Sequence, residues 1–324
     1  MPTPLSLLYP ALLASSLAFA YPAPIGQPAQ PGSLTKADNE ILDIEEDRAR
    51  RMTVPVSIGG NGPYSFVIDT GSERTVLSRK LVEKLSLEAE EPAQLMSIAG
   101  NSTVDMVYVP SLTLGRKSYG GLIAPVLLAR NIGAEGILGL DGLQDQRILF
   151  DFRVNQITVE DASEKRTNVS RREIVVTARR RSGQLIFTDA TIAGIKVNVI
   201  VDTGAQVSIA NPVLQKRLIR QKKKMGVENL LIAVTGDTLG VEFGRARDFR
   251  IGRAHFDSIL VAFADAPPFE QFGMKNKPAM LLGMDILRQF DQIAIDFSSR
   301  KIHFLPPKNA RQRYLRPKNS LIKS

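Results

Sequence analysis

Cysteine and tryptophan are absent from the 324 residues, and histidine occurs only twice, at His255 and His303. Without cysteine there is no thiol nucleophile, no thiolate metal site and no disulfide framework. Neither histidine has a nucleophile motif nearby, which leaves a Ser-His-Asp triad without a base and a histidine-rich metal site without ligands. What remains is ordinary globular composition, 44% hydrophobic and 23% charged. A chain of this length and composition fits two lobes and buries a core without metals or cross-links.

Charge is lopsided. The formal balance is +9, with basic residues grouped at Arg179–Arg181, at Lys216–Lys224 and in the tail KNARQRYLRPKNSLIKS. Such runs can bind nucleic acid or an anionic membrane; a solvated helix face and a frayed tail are the plainer reading. The opening MPTPLSLLYPALLASSLAFAYPAP has an apolar stretch too short, and too interrupted by Pro10, for a membrane span. Ala18-Phe19-Ala20 has the form of an A-x-A cleavage site, so residues 1–20 read as a secretory signal peptide, although no Lys or Arg precedes the apolar region. Residues 21–50 begin rich in Pro and Gly and read as a linker or pro-segment. Export is therefore expected, to the periplasm or as a secreted protein, with no transmembrane segment in the mature chain and no nucleic acid as partner.

The body of the chain writes itself twice. YSFVIDTGSERTVLS (Tyr64–Ser78) and VNVIVDTGAQVSIAN (Val197–Asn211) both run an apolar strand into Asp-Thr-Gly. At average residue frequencies one such triplet arises in roughly one chain in eighteen of this length, and two in about two chains in a thousand, so accident is a poor explanation. An alternating run and turn residues precede each motif, MTVPVSI and GGNGP in the first half, QLIFTDATI and AGIK in the second. Each set predicts a hairpin ending at Asp69 or Asp202. A helix follows each: Ser78 caps RKLVEKL, and Asn211 caps a helix with Pro212 at its first position. Strand-rich segments with glycine tips come next, at Gly100 and Gly236. Each half then closes on a second paired signature, ILGLDGL around Gly139 and LLGMDIL around Gly283. Asp141 and Asp285 are expected to cap short helices, and Asp151 and Asp296 to be edge or turn residues. The polar stretch EDASEKRTNVSRRE separates the halves. The expected organisation is two similar, mostly β lobes at 51–160 and 173–306, a linker at 161–172 and a basic tail at 307–324.

Two aspartates on matching elements of similar lobes meet if the lobes are related by a pseudo-twofold. Carboxyls in contact cannot both ionise cheaply, so they share a proton. Such a pair can polarise one water: the ionised member takes the water's proton as it attacks a carbonyl, and the protonated member bonds to the carbonyl oxygen. Gly71 and Gly204 allow tight turns and close approach. Thr70 and Thr203 offer hydroxyls to tie the loops together. Hairpins at the two glycine tips are positioned to fold over an extended peptide.

In these motifs the chain resembles the aspartic peptidases, with lobes closest to the retropepsin-like type found in bacterial proteins. The resemblance rests on Asp69–Ser72, Asp202–Ala205, Ile137-Leu138-Gly139 and Leu281-Leu282-Gly283, and covers nearly all of residues 53–305. It implies a pepsin-like arrangement within one chain: two closed-barrel-like lobes, an active site at their interface, and Asp69 and Asp202 as the catalytic dyad. Thr70, Gly71, Ser72, Thr203, Gly204 and Ala205 would support that site. Ala99, Gly100 and Asn101, with Thr235, Gly236 and Asp237, would form the flaps that hold substrate. No metal or cofactor is implied. The tip around Gly100 lacks the tyrosine of pepsin-like flaps, and Tyr108 lies too far along. Glu73 and Arg74 stand where small or apolar residues are usual and are expected to face solvent. The resulting expectation is an exported aspartic endopeptidase acting on proteins or peptides. The other reading is a non-catalytic peptide-binding or assembly protein that retains the fold. The covalent tandem favours a monomer with intramolecular lobe pairing; a dimer is the other arrangement.

Overall fold

The computed structural model describes residues 11–12, 18–19, 52–143, 146–161, 170–181, 184–219 and 227–308. The signal-peptide and linker readings of residues 1–50, most of the linker at 161–172 and most of the basic tail lie outside the described residues, apart from two-residue strands at Ala11–Leu12 and Ala18–Phe19.

The chain is mostly β, and its two halves fold in the same order. In the first half the hairpin Thr53–Ile58 and Asn61–Ile68 forms where alternation and turn residues predict it. Val54, Val56 and Ile58 point inward while Thr53 and Pro55 are exposed, the period-two pattern of a half-buried strand. Gly136–Leu138 lies parallel to Asn61–Ile68, followed by Val76–Ser78 and Lys117–Leu127; Gly100–Leu114 closes the ring by pairing with both Lys117–Leu127 and Thr53–Ile58. The result is a closed six-stranded barrel.

The second half repeats the ring with Gln184–Ile192, Ile195–Val201, Ala279–Leu282, Ile209–Ala210, Ala254–Phe263 and Thr238–Ile251. Closure leaves neither ring with an open edge between its first and last members. Each ring extends one strand into a projecting hairpin, Ala89–Ser97 with Gly100–Leu114 and Val227–Ile232 with Thr238–Ile251.

Helices are few and short. Arg79–Leu85 starts at Ser78, whose hydroxyl accepts the Leu81 N–H at 3.3 Å. Pro212–Ile219 starts after Asn211, whose Oδ1 accepts the Leu214 N–H at 3.0 Å. No described helix is long and apolar enough to cross a membrane.

A third sheet joins the halves. Its five antiparallel strands run in the order Gln156–Asp161, Gln146–Asp151, Gln292–Asp296, Lys301–Leu305, Ile174–Thr177. The central pairing crosses between halves, with Ile148 opposite Ile295 and Phe150 opposite Ile293. Ile148, Phe150, Ile174, Val176, Ile293, Ile295, Ile302 and Phe304 are all buried in one cluster that runs through both halves. Asp151 and Asp296 end strands of this sheet. Asp151 is held by Arg153 and Gln292, and the Arg153 bond draws its carboxyl down to about 2.

Candidate active site

Each Asp-Thr-Gly loop leaves a barrel strand at the point where a parallel neighbour ends. The Asp69 N–H donates to the Leu138 carbonyl and the Asp202 N–H to the Leu282 carbonyl, both at 3.0 Å. The aspartates are thus fixed by backbone before their side chains make any contact. Asp69 Oδ1 accepts the N–H groups of Gly71 (2.8 Å) and Ser72 (3.1 Å). Asp202 Oδ1 accepts those of Gly204 (3.1 Å) and Ala205 (3.0 Å).

The two loops interlock through their threonines. The Thr70 N–H donates to Thr203 Oγ1 at 3.1 Å, and the Thr203 N–H to Thr70 Oγ1 at 3.2 Å. Each hydroxyl donates across the interface, Thr70 to the Val201 carbonyl and Thr203 to the Ile68 carbonyl, both at 2.8 Å. The N–H and hydroxyl groups of both threonines are satisfied by partners in the other half.

The crossing brings the carboxyls together. A Cβ on Gly204 would lie 2.3 Å from Asp69 Cγ, so only glycine allows this approach. Asp69 and Asp202 are both fully buried, with their carboxyls close enough that Asp69 influences the titration of Asp202. Burial pushes Asp202 up to about 7, against the lowering effect of the Ala205 and Gly204 N–H groups and of Asp69. Such a pair holds one proton well above the usual carboxyl range.

Behind each motif stands a second carboxyl. Asp141 accepts the Thr75 N–H (2.9 Å) and hydroxyl (2.7 Å), and Thr75 Oγ1 in turn accepts the Gly139 N–H at 3.3 Å. Asp285 accepts the Ser208 N–H (3.1 Å) and hydroxyl (2.6 Å), and Ser208 Oγ accepts the Gly283 N–H at 2.9 Å. These aspartates are not the caps that sequence suggests. Gly139 and Gly283 occupy the cap positions, and the carboxyls reach across to the loop that follows each Asp-Thr-Gly. Burial raises both carboxyls, Asp285 to about 6. A repeated signal was present in the sequence, a hydroxyl residue six places after each motif aspartate, at Thr75 and Ser208.

The two hairpin tips meet each other. The first turn is at Ile98-Ala99, with Gly100 (φ +135°) already starting the return strand and Asn101 exposed beyond it; Tyr108 lies far down that strand. The second turn spans 233–237, with Gly236 at φ +97°. The tips touch: Ser102 donates to Asp237, Thr235 donates to Asp237 at 2.8 Å, and the hydroxyls of Thr235 and Ser97 are 3.5 Å apart. Each tip also plants an apolar side chain in the opposite half. Ile98 is fully buried in a cluster with Ala205, Val207, Ile209 and Phe269. Val234 is fully buried among Val76, Leu127, Ile132 and Ile137. Neither residue carried a sequence signal, because its partners belong to the other half.

Ser72 and Ala205 serve the site through their backbone N–H groups; the Ser72 hydroxyl turns away and donates to the Arg74 carbonyl at 2.7 Å. Glu73 and Arg74 are half-buried rather than solvent-facing, and Arg74 donates to the Ile123 carbonyl at 3.2 Å. Among the described residues no cluster of three or more His, Cys, Asp or Glu could hold a metal ion.

Two β barrels that lock their Asp-Thr-Gly loops together and press two carboxyls into contact define a bilobal aspartic peptidase architecture. The aspartyl protease family model matches residues 54–141 and 188–286, once in each half and over more than half of the chain, and the chain belongs to that family. No curated protein matches it.

Proposed function

We propose that the chain is an exported aspartic endopeptidase in which Asp69 and Asp202 share one proton and activate one water. The observation that carries this reading is the contact of the two buried carboxyls, each held by two backbone N–H groups of its own loop and registered by the threonine crossing. In the working state one carboxyl is ionised and takes a proton from the attacking water. The other is protonated, donates to the scissile carbonyl oxygen, and helps protonate the leaving amine. The upward displacement of Asp202 supports activity at acidic pH that fades as the pH rises past about 7, where the shared proton is lost. The two projecting hairpins favour an extended peptide as substrate, bound along their inner faces after the tips part. A lobe pair within one chain favours a monomer, and the A-x-A element at Ala18–Ala20 supports export.

The test is hydrolysis of a peptide library by purified protein between pH 3 and pH 8, beside Asp69→Asn, Asp202→Asn and the double variant. Loss in each variant is expected, since either change destroys the shared-proton state. Full activity in a single variant would refute the dyad. Tight binding of an active-site-directed inhibitor with no turnover of any peptide would favour a non-catalytic peptide-binding protein.

A further inference from the structure

Gln184 reaches across the interface between the halves. It begins the first strand of the second barrel and is fully buried. Its Nε2 donates to the carbonyl of Gly71, 113 residues earlier, at 2.8 Å. A carbonyl can only accept, so the amide must present its NH2 group there, and the orientation of the side chain is fixed. Its Oε1 is buried with no hydrogen-bond partner among the described residues. A buried acceptor left in that state is costly, and an apolar side chain of the same length would avoid the cost. The NH2 group is therefore the useful end of this residue.

The bond falls on one peptide unit of the site. The group joining Gly71 to Ser72 accepts from Gln184 at its carbonyl and donates through the Ser72 N–H to Asp69 Oδ1 at 3.1 Å. A donor on the carbonyl end of an amide polarises it and strengthens donation from its N–H. The matching carbonyl in the second half, that of Gly204, receives no side-chain donor among the described residues.

We propose that Gln184 is a positioning residue that orients and polarises the Gly71–Ser72 peptide, and so strengthens the N–H bond that steadies the negative charge of the dyad. This role rests on the peptidase reading above. The other titratable and charged groups on elements packed around Asp69 are Asp202 opposite, Glu73 and Arg74 on its own loop, Asp141 and Asp285 behind the two motifs, and Arg179, Arg180 and Arg181 beside Gln184. Of these, Arg74 is bonded to the Ile123 carbonyl, Arg180 to the Phe297 carbonyl at 3.1 Å, and Arg181 lies against Gly273.

The experiment compares the full chain with Gln184→Met, which keeps length and loses the donor, and Gln184→Glu, which keeps a donor only while protonated. In Gln184→Met, kcat is expected to fall about tenfold with KM changed by less than about twofold, and the acidic limb of kcat/KM to move to higher pH. Gln184→Glu is expected to recover most of the lost activity near pH 3.5 and to lose it as the new carboxyl ionises. Carbon-13 NMR titration of the aspartate carboxyls gives a readout that needs no turnover: the Asp69 step moves to higher pH in Gln184→Met while the fold is retained. A wild-type chain with no hydrolysis would sink the peptidase reading and leave that titration to decide the role of Gln184. An unmoved titration and pH profile in folded Gln184→Met overturn the proposal. If that variant does not fold, a wild-type titration in Gln184→Glu above the pH where its own carboxyl ionises overturns it equally.

Discussion

The buried carboxyl of Asp285 gives a stability prediction with a definite sign. Its value rises from the usual 3.8 to about 6 because burial outweighs the bonds it receives from Ser208 and Ile286. A carboxyl whose folded value is raised holds its proton more tightly in the folded state than in the unfolded state. Its stabilising contribution is complete below about pH 4 and is lost as the pH rises through about 6. At about 1.4 kcal/mol per pH unit, the loss is about 3 kcal/mol across that window. Full burial of the group means that little is discounted for solvent screening. Asp202 and Asp141 are displaced in the same direction, so their contributions have the same sign as that of Asp285. Asp151 and Asp237 are displaced downward, and their contributions vary only below about pH 4. The assay is urea unfolding of wild type and Asp285→Asn at pH 4, 5, 6 and 7. Asparagine sets an NH2 group where Ser208 also donates, so the variant is less stable at every pH. The slope is the informative quantity: wild type should lose about 3 kcal/mol more than the variant between pH 4 and pH 7. Equal slopes, or a wild type that gains stability over that range, would refute the argument that burial of Asp285 governs its titration.

Two further outcomes follow from contacts between the halves. Thr203→Val removes the acceptor of the Thr70 N–H and the donor to the Ile68 carbonyl, leaving two buried groups unsatisfied; it should cost about 2–4 kcal/mol in denaturant unfolding, while Thr203→Ser stays within about 1 kcal/mol of wild type. A valine variant as stable as the serine variant would mean that the crossing carries little. Ser97→Cys with Thr235→Cys replaces two hydroxyls 3.5 Å apart at the hairpin tips, in a chain with no other cysteine to interfere; oxidation should suppress peptide hydrolysis at least tenfold and reduction should restore it, whereas activity unaffected by the cross-link would show that substrate enters without parting the tips.

What the sequence disclosed was local. The hairpins into Asp-Thr-Gly, the Ser78 and Asn211 caps and the doubling of the whole pattern depend on residues within a few positions of one another, and period-two alternation or a capping hydroxyl reports them directly. The joining sheet was not legible. Phe150 and Ile293 are paired by the packing of one half on the other, and a strand has the same apolar alternation whether its neighbour is near or far in sequence. Ile98, Val234 and Gln184 were missed for the same reason, since the surroundings that give each its role lie in the opposite half. The capping expectation for Asp141 and Asp285 failed on a different ground: a side chain two places into a helix resembles a cap in sequence, but here it had a better partner in Thr75 or Ser208.

The second paired signature explains why two carboxyls can be held so deep. Gly139 lets its backbone cross the loop after the first motif so closely that a Cβ would sit 2.3 Å from the Arg74 carbonyl carbon; at Gly283 the matching distance, to Val207, is 2.8 Å. That crossing sets the Leu138 and Leu282 carbonyls against the Asp69 and Asp202 N–H groups, and sets Thr75 and Ser208 against the rear carboxyls. The motif aspartates therefore sit in loops clamped from behind by backbone and from across by threonine, with few ways to relax away from each other. Carboxyls free to move would separate or admit water, and each would return to its ordinary titration. On the proposed reading, rigidity at the crossing keeps the shared proton in place, and the glycine of the second signature then belongs to the chemistry as much as the glycine of the first.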